Sequence, residues 1–128
     1  MAYPNFDKEF LLFTDVSQLG LGAILFQQDS EGNERVITYA SRTLSKAEKN
    51  YSVTEQECLA VIWAVTYYRQ YLHESPFILI TDHSTLKFLF SHKMFQTRLA
   101  KWITIMQEYD YKVLYKSRKK HTNVDTLS

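Results

Sequence analysis

One short pattern occurs twice in this chain and constrains it more than any other feature. Phe10-Leu11-Leu12-Phe13 runs into Thr14-Asp15, and Phe77-Ile78-Leu79-Ile80 runs into Thr81-Asp82. A brief apolar run closed by polar residues reads as a strand buried in a sheet. An Asp just past such a strand stands at the sheet's edge, where the ligand sites of open α/β sheets gather. If the two strands are parallel neighbours, both carboxylates emerge at the same end. Taken singly, each Asp also fits an ordinary turn former or helix cap.

The intervening sequence supplies the rest of a mixed sheet. Residues 20–26 and 35–40 read as two further strands, joined by a hairpin turn through Gln28-Asp29-Ser30-Glu31-Gly32-Asn33. With the first strand they make an antiparallel meander. Ser45 with Glu48, and Thr54 with Glu57, match the capping-box spacing of a helix start. The main helix is expected over residues 54–72, with Cys58, Val61, Ile62, Val65, Tyr68 and Leu72 as its buried stripe. Pro76 breaks the chain before the strand at 77–80. Helices are expected over 84–90 and 97–109, a strand over 111–115, and the start of a last helix after Asn123. This order, β-β-β-α-β-α-α-β-α, gives an α/β fold with helices flanking a mixed sheet.

Two more acids join the strand-end pair. Glu57 suits a capping role, but it lies on the helix face that packs on the sheet, with Val61 and Ala64. An acid aimed at the core from that position needs a cation or a metal near it. Glu55 is expected to point into solvent. Asp125, in His121-Thr122-Asn123-Val124-Asp125, opens the last helix, where Asn123 or Asp125 would cap it. Four carboxylates brought together repel one another unless hard divalent cations share them, and Mg²⁺ prefers oxygen ligands. Two such ions about 4 Å apart activate water and stabilise the leaving oxygen in phosphodiester cleavage.

Composition sets the outer bounds. With 128 residues, 45% of them hydrophobic, the chain has room for one domain and not two. The longest apolar run, residues 58–65, falls far short of the roughly 18 needed to span a membrane. No basic-then-apolar leader is visible, so no secretory signal is expected. The single cysteine, Cys58, rules out an internal disulfide or a Cys-based zinc site and fits a reducing, intracellular compartment. The net charge of +1 conceals a gradient. Residues 1–60 carry nine acids against five bases, and residues 61–128 carry ten bases against five acids. Lys112, Lys116, Arg118, Lys119 and Lys120 form a basic tract that suits a polyanion such as nucleic acid, or simply a solvated strand end.

At the level of motifs the chain resembles the ribonuclease H domain of gypsy-type LTR-retrotransposon reverse transcriptases. The resemblance is carried by Phe13-Thr14-Asp15-Val16-Ser17 with Gly20-x-Gly22-Ala23-Ile24-Leu25, and by Ile37-Thr38-Tyr39-Ala40-Ser41-Arg42-Thr43-Leu44-Ser45. It continues through Asn50-Tyr51-Ser52-Val53-Thr54-Glu55-Gln56-Glu57-Cys58-Leu59-Ala60-Val61, Tyr71-Leu72, and Ile80-Thr81-Asp82-His83-x-x-Leu86-Lys87. Arg98-Leu99-Ala100-Lys101-Trp102 and Asn123-Val124-Asp125-x-Leu127-Ser128 complete it. These motifs cover essentially the whole chain in order. Ala2-Tyr3-Pro4-Asn5-Phe6 resembles the segment leading in from the polymerase part, so residues 1–8 are expected to be linker and 9–128 the domain of a larger Pol polyprotein.

The resemblance implies a ribonuclease H-like fold with a five-stranded mixed sheet. It also implies hydrolysis of the RNA strand of an RNA–DNA hybrid with two Mg²⁺ ions (Mn²⁺ substituting), leaving 3′-hydroxyl and 5′-phosphate ends. By motif position the metal-binding acids are Asp15, Glu57, Asp82 and Asp125, with Asp15 bridging both ions, and His83 is a further catalytic candidate. Ser17, Ser41, Arg42, Tyr115 and His121 are candidates for contact with the substrate, whose 2′-hydroxyls and phosphates a protein reads on an A-like duplex. The implied partners are the hybrid and the polymerase and connection domains, with no membrane, and the implied location is the cytoplasmic virus-like particle of the element. Two departures stand out. Ser117-Arg118 replaces the family's usual Pro-Gly pair before the last acid, and Val124 and Thr126 replace alanines around it. They favour an alternative reading, a catalytically weak domain that grips the hybrid and supports the polymerase; a domesticated interaction module is a third.

Overall fold

Five strands form one sheet in the order β3-β2-β1-β4-β5. In chain order these are β1 (Phe10–Val16), β2 (Gly20–Gln28), β3 (Glu34–Thr43), β4 (Phe77–Thr81) and β5 (Tyr111–Tyr115). The helices whose bounds lie within the described residues are α1 (Val53–Tyr67), α2 (Arg69–Leu72) and α3 (Thr97–Met106), with a 3₁₀ turn at Glu48–Asn50. The computed structural model describes residues 2–82, 84, 85, 87 and 97–115.

β1, β2 and β3 pair antiparallel, whereas β1 pairs with β4, and β4 with β5, in parallel. The meander and the crossovers are therefore where the sequence places them. Both tight turns follow local chemistry. Gly32 takes a positive φ of 83° while the Asp29 carboxylate accepts the N–H groups of Glu31 and Asn33. Gly20 packs so closely on β3 that a Cβ there would lie 2.1 Å from the carbonyl oxygen of Arg42.

The core lies mainly between the sheet and α1. Phe10 and Leu12 of β1 meet Cys58, Val61, Ile62 and Val65 of α1, with Trp102 and Met106 of α3 alongside. All six residues of the expected stripe, Tyr68 and Leu72 included, are buried. A smaller cluster of Leu11, Phe13, Ile24, Phe26 and Ile80 lies on the opposite face of the sheet.

Three helix expectations are corrected. The span 54–72 is two helices, because Tyr68 leaves helical geometry at φ −99°, ψ 23°. Two residues earlier the Thr66 hydroxyl bonds back to the Ile62 carbonyl, a contact that bends helices. The capping box is Ser52 with Glu55, not Thr54 with Glu57: the Ser52 Oγ accepts from the Glu55 N–H, and the Glu55 carboxylate accepts from the Ser52 N–H. Glu55 is accordingly not solvated. Its side chain is 17% exposed and ion-paired with Arg98. Ser45 and Glu48 do form the reciprocal pair that their spacing predicts.

Residues 2–8 are bound to the sheet. The Gln27 side chain, 4% exposed, accepts from the Asn5 N–H and donates to the Asn5 and Lys8 carbonyls. The Ala2 N–H donates to the Val36 carbonyl of β3 at 2.8 Å.

Candidate active site

The doubled strand motif converges through register. Parallel pairing of β1 with β4 aligns Phe10 with Phe77 and continues to Phe13 with Ile80. Asp15 and Asp82 each lie two residues beyond the last pair of this ladder, at the same end of the two strands. The two strands end differently, however. β1 runs through Asp15 to Val16 because β2 still pairs with it there, Asp15 opposite Gly22 and Val16 opposite Leu21. β4 stops at Thr81, and Asp82 opens a turn in which its Oδ1 accepts both the Ser84 N–H and the Ser84 hydroxyl at 2.8 Å.

Glu57 enters from the first turns of α1. Asp15, Glu57 and Asp82 line one cleft of about 480 Å³, together with Ser17, Gln56 and Thr81. Among the described residues, no Lys, Arg or His lines it. Three carboxylates in one cleft create a negative site, which is where a cation is favoured. Their donor chemistry suits a hard divalent ion bound through oxygen. Among the described residues no three acidic, His or Cys side chains already close into a metal cage. The acids share a cleft and leave it open. Asp125, the fourth acid expected by motif, lies outside the described residues, as do His83 and His121.

Glu57 has a partner that the sequence does not announce. The Thr85 hydroxyl donates to its Oε2 at 2.7 Å. The adjacent Cys58 donates its thiol to the Thr85 carbonyl at 3.3 Å, and burial, with Glu57 and Glu55 nearby, pushes that thiol up to about 12. Cys58 is thus a neutral structural donor and not a nucleophile.

The remaining candidates are distributed unevenly. Ser41 sits opposite Gly22, which itself sits opposite Asp15, so Asp15 and Ser41 share one cross-strand row and one face of the sheet. Gly22 between them carries no side chain, and the space above it is open. Arg42 alternates to the other face, opposite Leu21 of the core. Its guanidinium bonds both carboxylate oxygens of Glu48 at 2.8 Å, which holds the Glu48 carboxyl down to about 2. Arg42 is therefore tied into the structure at this point. Ser17 lines the cleft, but its hydroxyl accepts from the Leu19 and Gly20 N–H groups of the β1–β2 turn. Tyr115 lies half-exposed at the end of β5, paired with Thr81, and is not among the residues lining the cleft.

Comparison with known proteins follows the same lines. Residues 5–109 match the family model of the RNase H-like domain found in reverse transcriptase. The whole chain aligns with the retrovirus-related Pol polyproteins of the Drosophila melanogaster transposons opus, at 40% identity, and gypsy, at 36%. It spans 13% and 12% of their lengths. Among solved structures, a foamy viral protease-reverse transcriptase in complex with dsDNA matches 90% of this chain and 25% of that one, with a TM-score of 0.74 at 14% identity. An RNase H1 isolated from compost (LC11) matches 94% of this chain and 92% of that one, with a TM-score of 0.62 at 17% identity.

Proposed function

This chain belongs to the family of RNase H-like domains found in reverse transcriptase, and on that premise we propose that it hydrolyses the RNA strand of RNA–DNA hybrids as part of a retrotransposon Pol polyprotein. The observation that carries the reading is the cleft that Asp15, Glu57 and Asp82 line together. Such a cleft repels a phosphodiester unless cations are present, so it is suited to phosphoryl chemistry only together with metal.

Asp15, Glu57 and Asp82 would hold divalent cations here, joined by Asp125 on the strength of its motif. Mg²⁺, when bound, supplies a Lewis acid at the scissile phosphate and lowers the pKa of water. The protein's own contribution is placement. The sheet fixes Asp15 through its pairing with Gly22, and Ser84 orients the Asp82 carboxylate with two hydrogen bonds. In the hydrolysis itself one P–O3′ bond breaks and one water adds, so that the products are a 3′-hydroxyl and a 5′-phosphate. The row that Ser41 shares with Asp15 across the open Gly22 position supports a contact between Ser41 and the sugar–phosphate backbone of a bound hybrid. The basic tract at Lys116, Arg118, Lys119 and Lys120 would add attraction for phosphate independent of sequence.

The test is incubation of the chain with an end-labelled RNA–DNA hybrid in Mg²⁺ and in Mn²⁺, with Asp82→Asn as control. Cleavage of the RNA strand by wild type alone supports the nuclease. Binding of hybrid without cleavage overturns it and favours a gripping domain, a reading consistent with Ser117-Arg118 in place of the usual Pro-Gly.

A further inference from the structure

We infer that Thr85 is a positioning residue for this chemistry: its hydroxyl fixes the carboxylate of Glu57 and ties it to the strand end that carries Asp82. The inference rests on the nuclease reading above.

Thr85 is fully buried, at 0% exposure, although it lies in the polar helical turn that follows Asp82, beside a cleft. Each of its hydrogen-bonding groups is engaged, and each with the site. The hydroxyl meets Glu57 Oε2 at 2.7 Å. The carbonyl accepts the thiol of Cys58, the next residue of α1, at 3.3 Å. The N–H donates to the Asp82 carbonyl at 3.2 Å. One residue thereby joins two consecutive positions of α1 to the turn that Asp82 opens.

The chemistry gives this linkage a direction. An ionised carboxylate can only accept, so the Thr85 hydroxyl must donate. A hydroxyl-to-carboxylate bond is among the stronger neutral-to-charged hydrogen bonds. A free glutamate samples several rotamers, and ordering it at the moment of cation binding costs conformational entropy. With Thr85 in place, that ordering is already present before a cation arrives. Groups that orient a metal ligand typically contribute about ten- to a hundred-fold in metal affinity. Glu57 and Asp82 also cease to be independent, since a shift of the turn after β4 moves the carboxylate on α1.

Thr85→Val removes the oxygen and keeps the shape, and Thr85→Ser keeps the oxygen. The readouts are the Mg²⁺-dependent rise in melting temperature without substrate, and the Mg²⁺ concentration giving half-maximal hybrid cleavage. Thr85→Val is expected to lose most of the thermal rise and to need about ten-fold more Mg²⁺. Cleavage at saturating Mg²⁺ is expected to fall much less, and Thr85→Ser is expected to behave as wild type in both measurements. If Thr85→Val does not fold, Thr85→Ala against Thr85→Ser gives the same comparison, one oxygen apart. A wild-type Mg²⁺ midpoint and thermal rise in the variant lacking the hydroxyl would overturn the role of Thr85 while leaving the nuclease intact. If wild type itself shows neither cleavage nor a Mg²⁺-dependent rise, the nuclease reading falls and takes this inference with it.

Discussion

Arg98 of α3 pairs with the carboxylate of Glu55, the residue that closes the capping box at the start of α1. Its guanidinium carbon also lies 4.1 Å from the centre of the Tyr51 ring and 5.7 Å from that of Trp102. A salt bridge on an open surface contributes little. This one is half-enclosed by aromatic rings and acts on the helix start two residues before Glu57. Arg98→Met is therefore expected to lower stability by about 1–2 kcal/mol, measured by thermal or denaturant unfolding. A change within about 0.5 kcal/mol, the range of an ordinary surface substitution, would show that the pair is ornamental.

The Arg42–Glu48 pair makes stability depend on acid. The Glu48 carboxyl sits at about 2 in the folded chain, below its ordinary value of 4.5, chiefly through its hydrogen bonds to Arg42. A depressed carboxyl contributes stability that is fully present above the unfolded value and is lost as pH falls through the folded one. The window is thus pH 4.5 down to about 2. With Arg42 one-third exposed and solvent screening the pair, the contribution is on the order of 1–2 kcal/mol. Glu48→Gln should flatten the acid limb of a stability-versus-pH profile across that window. An unchanged slope would mean that other carboxylates govern acid unfolding.

Gly20 and Gly22 sit two residues apart on β2 and should respond oppositely to one added methyl. A Cβ at Gly20 would meet the Arg42 carbonyl at 2.1 Å, whereas one at Gly22 meets nothing within 4 Å. Gly20→Ala is expected to cost about 1–3 kcal/mol, typical of overpacking against backbone. Gly22→Ala should leave the melting temperature near wild type. Its effect belongs to substrate, since the methyl would stand between Asp15 and Ser41, and hybrid affinity is the measurement to make. Equal stability losses in the two variants would contradict this placement.

Acid-to-amide substitutions in the cleft should separate stability from function. Asp15→Asn, Glu57→Gln and Asp82→Asn each remove a negative charge from a cleft that three carboxylates share. Without metal their melting temperatures should equal or exceed that of wild type, because like-charge repulsion is relieved. With Mg²⁺ each should lose most of the ligand-induced rise, together with cleavage. A drop in the metal-free melting temperature would instead assign the altered acid a structural role.

Much of the fold was legible because it rests on local pattern. The apolar runs ending in Thr-Asp gave β1 and β4, and the stripe from Cys58 to Leu72 gave the buried face of the first two helices. Strand-end position and helix face single out the three acids that share the cleft, independently of the motif resemblance. Spacing misled at the helix start. Ser52-x-x-Glu55 and Thr54-x-x-Glu57 both satisfy the capping rule, and only the entry of the chain into α1 decides between them.

The sequence by itself determined which segments become strands and helices, which faces are apolar, and which carboxylates are worth watching, because periodicity and end chemistry act between near neighbours. The parallel pairing of β1 with β4 that brings Asp15 and Asp82 to one end of the sheet, the turn of Arg42 away to Glu48, and the reach of Thr85 to Glu57 across twenty-eight positions of chain were decided by tertiary packing alone. Those relations depend on which strands pair and how a helix lies on a sheet. They are set by the packing of the whole core and leave no periodic trace in any one segment.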